Sequence, residues 1–418
     1  MQQLQRRLGT AQATFIGLGS MIGAGVFAAF APAAASAGSW LLLGLAIAAL
    51  VATCNALASA QLAARYPTSG GTYVYGREEL GPWWGFFAGW SFVIGKTASC
   101  AAMALTFAVY VAPDGWERPV AAAAVVALAA VNLVGITRTA MLTRVIVVLV
   151  IAVLAVGVAA STSSRVPLEW SLPDGVYGVL QSAGLLFFAF AGYARIATLG
   201  EEVRDPQRSI PRAIITALAI AVAVYAVVGA GLLSALGAQG LAASSEPLAD
   251  AVTAGGFAEL GPVIAIGAAL ASLGALLALI AGIGRTTLAM ARESDLPRWL
   301  AAVHPRFGVP HRAELLLAAV VVVLVLTIDL RGAIGFSSFG VLLYYFVANL
   351  AALRKGRPRA LFVIGALGCV TLVATLPLSS IIGGLVVLAV GVLYRILRLH
   401  TLARTVNGER DSELPRNL

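Results

Sequence analysis

Residues 17–27 read Gly17-Leu18-Gly19-Ser20-Met21-Ile22-Gly23-Ala24-Gly25-Val26-Phe27. They lie inside an apolar run that begins near Ala11 and continues past Phe30. Four glycines fall within nine residues, and each one inside a helix costs about 1 kcal/mol relative to alanine. A helix here is weakened at its centre. Two readings compete on the residues alone. Gly19 and Gly23 form a small-xxx-small pair that lets membrane helices approach closely, and the same glycines suit a built-in break. The spacing GxGxxxG loosely resembles a dinucleotide-binding turn, but no strand precedes it and that reading is set aside.

The surrounding chain fixes the solvent. Of 418 residues, 60% are hydrophobic and 11% are charged, against about 25% charged in soluble domains. This excludes an ordinary cytosolic enzyme, a disordered chain and a coiled coil. The net charge of +9 is not a nucleic-acid signal, because that needs a clustered basic face and here the basic residues fall in bursts between apolar runs. The bilayer is the partner and nucleic acid is not. Cys54, Cys100 and Cys369 all lie within apolar runs without CxxC spacing and read as packing residues. The first run sits behind Arg6 and Arg7 but is too long for a signal-peptide core, so it reads as the first span.

A hydrocarbon core of about 30 Å takes roughly 20 helical residues, and runs this long are helices rather than barrel strands. The charge-free stretches predict an all-α polytopic membrane protein with twelve transmembrane helices. They run over 12–36, 40–63, 82–111, 119–136, 141–161, 176–199, 211–236, 260–284, 314–328, 332–352, 360–376 and 378–395. Gly38-Ser39 divides the first pair, and Pro377 with Ser379-Ser380 divides the last. With the amino terminus inside, 22 basic residues fall in cytoplasmic segments. Only Arg118, Arg165 and Arg331 fall outside, and Lys96, Arg195 and Arg285 lie in or at the edge of spans, which accounts for all 28. That bias follows the positive-inside pattern. It places both termini in the cytoplasm of a multi-pass protein of the cell (inner) membrane.

The sixth span holds a second weak point. Phe188-Ala189-Phe190-Ala191-Gly192-Tyr193-Ala194-Arg195 sets a glycine among aromatics near mid-membrane and leads on to Glu201-Glu202-Val203-Arg204-Asp205-Pro206. Disruption in the first and sixth spans, which run in opposite senses, is the arrangement of two five-helix units related as an inverted repeat. The single transmembrane domain, 1–418, then divides into 12–161 as first repeat and 176–352 as second. Two additional helices occupy 360–395, and a cytoplasmic tail occupies 396–418.

These residues, together with Tyr66-Pro67-Thr68-Ser69-Gly70-Gly71, Ile210-Pro211, Ala289-Met290-Ala291-Arg292 and Leu296-Pro297, resemble the amino acid–polyamine–organocation (APC) superfamily of secondary transporters along nearly the whole chain. The resemblance implies an amino acid permease with discontinuous helices 1 and 6. It also implies substrate recognition by the broken backbones, carried here onto Met21, Ile22, Gly23, Ala24 and Gly25 and onto Phe190, Ala191, Gly192 and Tyr193. The physical logic is direct. Amides freed at Gly23–Gly25 favour a carboxylate at a helix amino end, and freed carbonyls near Met21, Ile22, Phe190 and Ala191 accept from an ammonium. Phe190 and Tyr193 are wall candidates, although an aromatic in a membrane helix more often simply packs.

The chain departs from the family in two places. Many relatives carry a fifth-span lysine tied to proton coupling, and the matching position here is Val150. The usual acid after the sixth-span glycine is replaced by Ala194. Lys96, in the third span, is by default a functional residue and is the coupling candidate, with internal structural pairing or snorkelling as the alternative. Its surroundings, Gly89 to Thr97, imitate a phosphate loop but hold five residues between the glycines, and no strand precedes them. Arg195, Glu201, Glu202 and Arg285 are candidates for an inward gate, against plain interfacial charge.

No Asp or Glu lies well inside a span, which points to neutral amino acids and leaves no sodium carboxylate ligand. No cofactor or metal is expected, since His304, His311 and His400 lack ligand spacing. Protons are the candidate coupling ion, with exchange as the other mode. An exporter or a polyamine/amine transporter of the same fold is the nearest alternative. A membrane-embedded enzyme would want edge acids, histidines and a loop domain, and a channel would want a filter ring.

Overall fold

The computed structural model describes residues 8–67, 70–135, 140–167, 169–170, 172–197, 199 and 202–413, with side chains of 140 and 401–413 left aside. The described chain is helical, with one isolated parallel bridge between Leu8 and Val203. Among the described residues, every apolar run is helical. The first run forms α1 (Thr10–Met21), α2 (Ala24–Ala28) and α3 (Phe30–Ala37). Then follow α4 (Leu41–Arg65), α5 (Thr72–Leu80), α6 (Pro82–Val111), α7 (Glu117–Leu133) and α8 (Ala140–Ser161). The sixth run is α9 (Gly175–Phe190), a single 3₁₀ turn at Ala191–Tyr193, and α10 (Ala194–Ala197). The remainder is α11 (Pro206–Ala243), α12 (Pro247–Ala254), α13 (Gly261–Arg292), α14 (His311–Thr327), α15 (Leu330–Lys355), α16 (Arg359–Ala374) and α17 (Leu378–Glu413).

Nine helical runs among the described residues are long and apolar enough to cross a membrane. The others among the expected spans, α7, α14 and α16, have 17, 17 and 16 residues and reach roughly 25 Å at 1.5 Å per residue. Three segments differ from the sequence expectation. The connection after the second span holds α5, and the connection 237–259 is largely helical. It is set off by Gly237, whose φ of 65° breaks α11 at a conformation suited to glycine. The expected tail continues the last helix, since α17 runs unbroken to Glu413.

Packing explains the glycines of the third span. α6 lies between α13 and α15, and a Cβ on Gly340 would sit 2.6 Å from the Gly95 Cα. Helices α6 and α15 therefore meet backbone to backbone, with the Ser99 and Ser337 hydroxyls 2.6 Å apart. Gly95 of the phosphate-loop look-alike is a packing residue. Large apolar side chains such as Val148, Val323, Leu367 and Val386 are exposed on α8, α14, α16 and α17, which suits surfaces solvated by lipid.

At the arginine-poor end the helices are cross-linked by hydrogen bonds. Ser36 donates to Gln181 Oε1 at 2.9 Å, Gln181 Nε2 donates to the Thr375 carbonyl at 3.2 Å, and Arg331 donates to Ser36 Oγ at 3.2 Å. These contacts tie α3, α9, α15 and the α16–α17 turn together. One layer deeper, the Tyr110 hydroxyl donates to the Phe27 carbonyl at 3.3 Å, and the two rings meet edge to face at 5.7 Å.

Candidate functional site

The first run breaks at Ile22 (φ −79°, ψ 61°) and Gly23 (φ −109°, ψ −139°). The turn is held by Ile22 N–H on the Leu18 carbonyl at 2.7 Å and Gly23 N–H on the Met21 carbonyl at 2.8 Å. The sixth run tightens to 3₁₀ at Ala191–Tyr193. The two breaks touch. A Cβ on Gly192 would lie 2.2 Å from the Ser20 carbonyl oxygen, and one on Gly25 would lie 2.6 Å from the Ala189 Cα. Glycine is required at both positions because backbone meets backbone.

Both candidate readings of the first-span glycines are realised at once. A Cβ on Gly19 would meet Thr143 of α8 at 2.9 Å, and one on Gly23 would meet Ala275 of α13, also at 2.9 Å. The GxxxG pair packs against two different helices while the chain breaks between them.

Tyr225 of α11 staples the breaks. Its hydroxyl lies 2.6 Å from the Met21 carbonyl and 2.9 Å from the Ala189 carbonyl, so one proton is shared between oxygens that helix bonding leaves open. Lys96, only 4% exposed, donates from Nζ to the Ala191 carbonyl at 2.9 Å. The Tyr345 hydroxyl of α15 approaches the same oxygen at 3.4 Å.

A cavity of about 370 Å³ reaches this point, lined by Ser20, Phe92, Lys96, Ala191, Gly192, Ala194, Arg195, Gly282, Arg285 and Arg292, among others. The sequence-selected residues divide across it. Ala191 and Gly192 line the cavity, and Lys96 and Arg195 join them. Met21, Ile22, Gly23, Ala24 and Gly25 are buried behind it. Phe190 and Tyr193 are fully buried too. Phe190 packs on Tyr225 with ring centres 5.0 Å apart, and Tyr193 stacks on Tyr345 at 4.8 Å.

The cavity's outer rim is charged. Arg285 pairs with Glu202 at 3.6 Å. Glu202 is positioned by the pairing of the chain ahead of α1 with the chain after α10. Leu8 N–H donates to the Glu202 carbonyl at 3.0 Å, and Arg204 N–H donates to the Leu8 carbonyl at 2.8 Å. Glu201 lies outside the described residues. Val150, the family's lysine position, is buried in the apolar core. One acid is more buried than its place at a span edge suggests. Glu314, in the first turn of α14, is 2% exposed against Gly284, but it does not line the cavity.

Sequence reading missed Ser20, Tyr225, Tyr345 and Arg292. The tyrosines carried a faint signal, as single hydroxyls set in otherwise apolar spans. It also missed a clamp beside the rim. There Asp295 accepts from the Tyr73 hydroxyl at 2.9 Å and pairs with Arg77 at 3.6 Å and with Arg395. Burial, reinforced by that carboxylate, pushes the Tyr73 phenol well up from its usual range. Arg395 lies over the Trp83 and Phe86 rings at 4.8 and 4.6 Å, so the last long helix is pinned to α5 and the start of α6.

Comparison with known proteins agrees with this architecture. The chain is 60% identical over 409 residues to an uncharacterized transporter of Mycobacterium tuberculosis (strain ATCC 25618 / H37Rv), covering 96% of this chain and 93% of that one. It is 26% identical over 384 residues to a branched-chain amino acid permease of Bacillus subtilis (strain 168), covering 85% and 83%. It is 29% identical over 376 residues to cationic amino acid transporter 4 of Homo sapiens, covering 83% and 59%. The profile described as "Amino acid permease" matches residues 8–394. The chain is therefore an integral membrane transporter that belongs to the amino acid permease family of the APC superfamily.

Proposed function

We propose that this protein is a secondary active transporter of amino acids and closely related small carboxylates without a cationic side chain, working by alternating access. The observation that carries the reading is the cavity that ends on Ala191 and Gly192 of the sixth-span break, beside Ser20 of the first. Backbone irregular at mid-membrane is tolerated where it lines a solute site. The neutral-substrate expectation extends to anionic solutes, because Lys96, Arg195, Arg285 and Arg292 contribute to the lining and no described lining residue is acidic.

In this reading the chain crosses the cell membrane twelve times, as two inverted five-helix repeats (12–161 and 176–352) followed by two further helices. Both termini lie in the cytoplasm. The positive-inside bias then makes the cavity's arginine-rich mouth cytoplasmic, and the cross-linked Ser36–Gln181–Arg331 end faces outward. The conformation is inward-open. Glu202 and Arg285 act as an inward gate that remakes its partners when the cavity closes. Met21 to Gly25 form the other half of the solute site and become accessible as α1–α2 rocks against α13 and α11. Transport is coupled to protons or proceeds by exchange, with Lys96 as the residue whose charge state and contacts differ between states.

Uptake and counterflow in proteoliposomes test this, using labelled neutral, acidic and basic amino acids and a polyamine, with and without an imposed pH gradient. The reading expects saturable transport of at least one amino acid without a cationic side chain. Movement of the polyamine alone would contradict it.

A further inference from the structure

The Lys96 ammonium occupies the place where an amino acid's own ammonium would be expected to bind. A zwitterion needs an acceptor for its amino group, and the break in the sixth span frees such an acceptor at Ala191. In this structure that oxygen is already taken. Lys96 Nζ donates to it at 2.9 Å and the Tyr345 hydroxyl approaches at 3.4 Å, which accounts for both lone pairs of the carbonyl. A substrate ammonium would have to displace a tethered one.

We propose that the cavity takes a small solute with net negative charge, a carboxylate not balanced by an ammonium of its own, and that Lys96 anchors it. The proposal rests on the reading of the chain as a solute transporter and narrows its substrate class. An ammonium carries three donors and Ala191 uses one. No described carboxylate lies within 4.0 Å of Lys96, so a 4%-exposed cation sits on a neutral partner. A buried charge without a counter-charge is costly, and an incoming carboxylate supplies that counter-charge at the cavity's inner end. Electrostatics along the route act the same way. The lining includes Arg195, Arg285 and Arg292 and, among the described residues, no Asp or Glu. Past the Glu202 carboxylate that pairs with Arg285 at the rim, a cationic solute thus meets like charge along the lining, which is a device for rejection as well as attraction. Tyr345 holds the Ala191 carbonyl from the other side and is itself stacked on Tyr193 at 4.8 Å, so Lys96 is presented from a fixed backbone position.

The test uses the full chain in proteoliposomes with four labelled solutes: leucine, its deaminated 2-oxo acid, glutamate and arginine. The expected result is transport of the 2-oxo acid or glutamate with a kcat/KM at least tenfold above leucine, and none of arginine. Which carboxylate leads shows whether an amino group is tolerated in addition. Lys96→Met should lower that transport at least tenfold, whereas Lys96→Arg should retain most of it. Because Lys96→Met can fail by misfolding, thermal unfolding of the wild type supplies a second readout, with the preferred carboxylate raising the midpoint and arginine leaving it unchanged. Leucine moving best, or Lys96→Met leaving the order of solutes unaltered, overturns the proposal and leaves the amino acid transporter reading standing, whereas arginine moving best overturns the proposal and the restriction to solutes without a cationic side chain. A folded wild type that moves none of the four contradicts both.

Discussion

The two breaks are made of similar residues and end in different situations. In the first span, Met21 to Gly25 turn under full cover, pressed between Ala189, Ala275 and Tyr225. In the sixth, Ala191 and Gly192 reach a cavity and meet a lysine. Glycine content does not separate them, since the sealed break is the richer in glycine. What separates them is which neighbour supplies the polar group. A neutral tyrosine satisfies the Met21 carbonyl and closes the space, while an ammonium satisfies the Ala191 carbonyl and leaves donors over for a ligand. A break is thus a source of open backbone groups, and the side chain that answers them decides whether the place is covered or open to the cavity in this conformation.

The largest effect that would break this contrast comes from pushing the two turns apart. Gly192→Leu places a side chain where even a Cβ would be 2.2 Å from the Ser20 carbonyl. Transport should fall by more than about a hundredfold, with stability lowered by an amount at or above the roughly 1–3 kcal/mol typical of overpacking. Uptake and thermal unfolding measure the two losses. Gly23→Leu sharpens the comparison, since it meets Ala275 on the sealed side. It should abolish solute binding, measured by ligand-induced stabilisation, and leave a folded protein.

Tyr225→Phe comes next. It removes the hydroxyl donor shared by the Met21 and Ala189 carbonyls and leaves Met21 with only the Gly23 N–H, for a cost of about 1–3 kcal/mol seen as a lowered unfolding midpoint. The smallest effect is at the rim. Arg285 and Glu202 are partly exposed at 3.6 Å, so Glu202→Gln should change stability by less than about 1 kcal/mol. It should alter the transport rate in a manner that fades as ionic strength rises.

Much of the fold was legible because lipid imposes a simple rule on apolar runs. The twelve apolar stretches are helical over their described residues, and Pro377 and Gly38 marked turns as expected. Gly38 adopts φ 56°, a conformation glycine accepts readily. What stayed hidden depended on long-range contact. α5 is only nine residues of ordinary amphipathic sequence, and nothing local announces that its Tyr73 will meet Asp295. Of the site, the glycines and Lys96 stood out because each violates a local expectation of a membrane helix. Tyr225, Tyr345 and Ser20 violate none, so only the fold could bring them to the breaks. Phe190 and Tyr193 looked like cavity walls, yet each found a tyrosine to pack on behind the cavity, because a large ring between two spans gains more from close packing than from facing open space.

The most direct test is side-specific thiol labelling of single cysteines in oriented vesicles. The native cysteines are all buried and contribute little background. Ser20→Cys lies on the cavity and Ala24→Cys, four residues on, lies fully buried beyond the break. A membrane-impermeant reagent applied from the arginine-rich face should modify Ser20→Cys, with protection by the transported solute, and leave Ala24→Cys unmodified. Equal labelling of both, or labelling of Ala24→Cys alone, would contradict a cavity that ends at Lys96 and the sixth-span break.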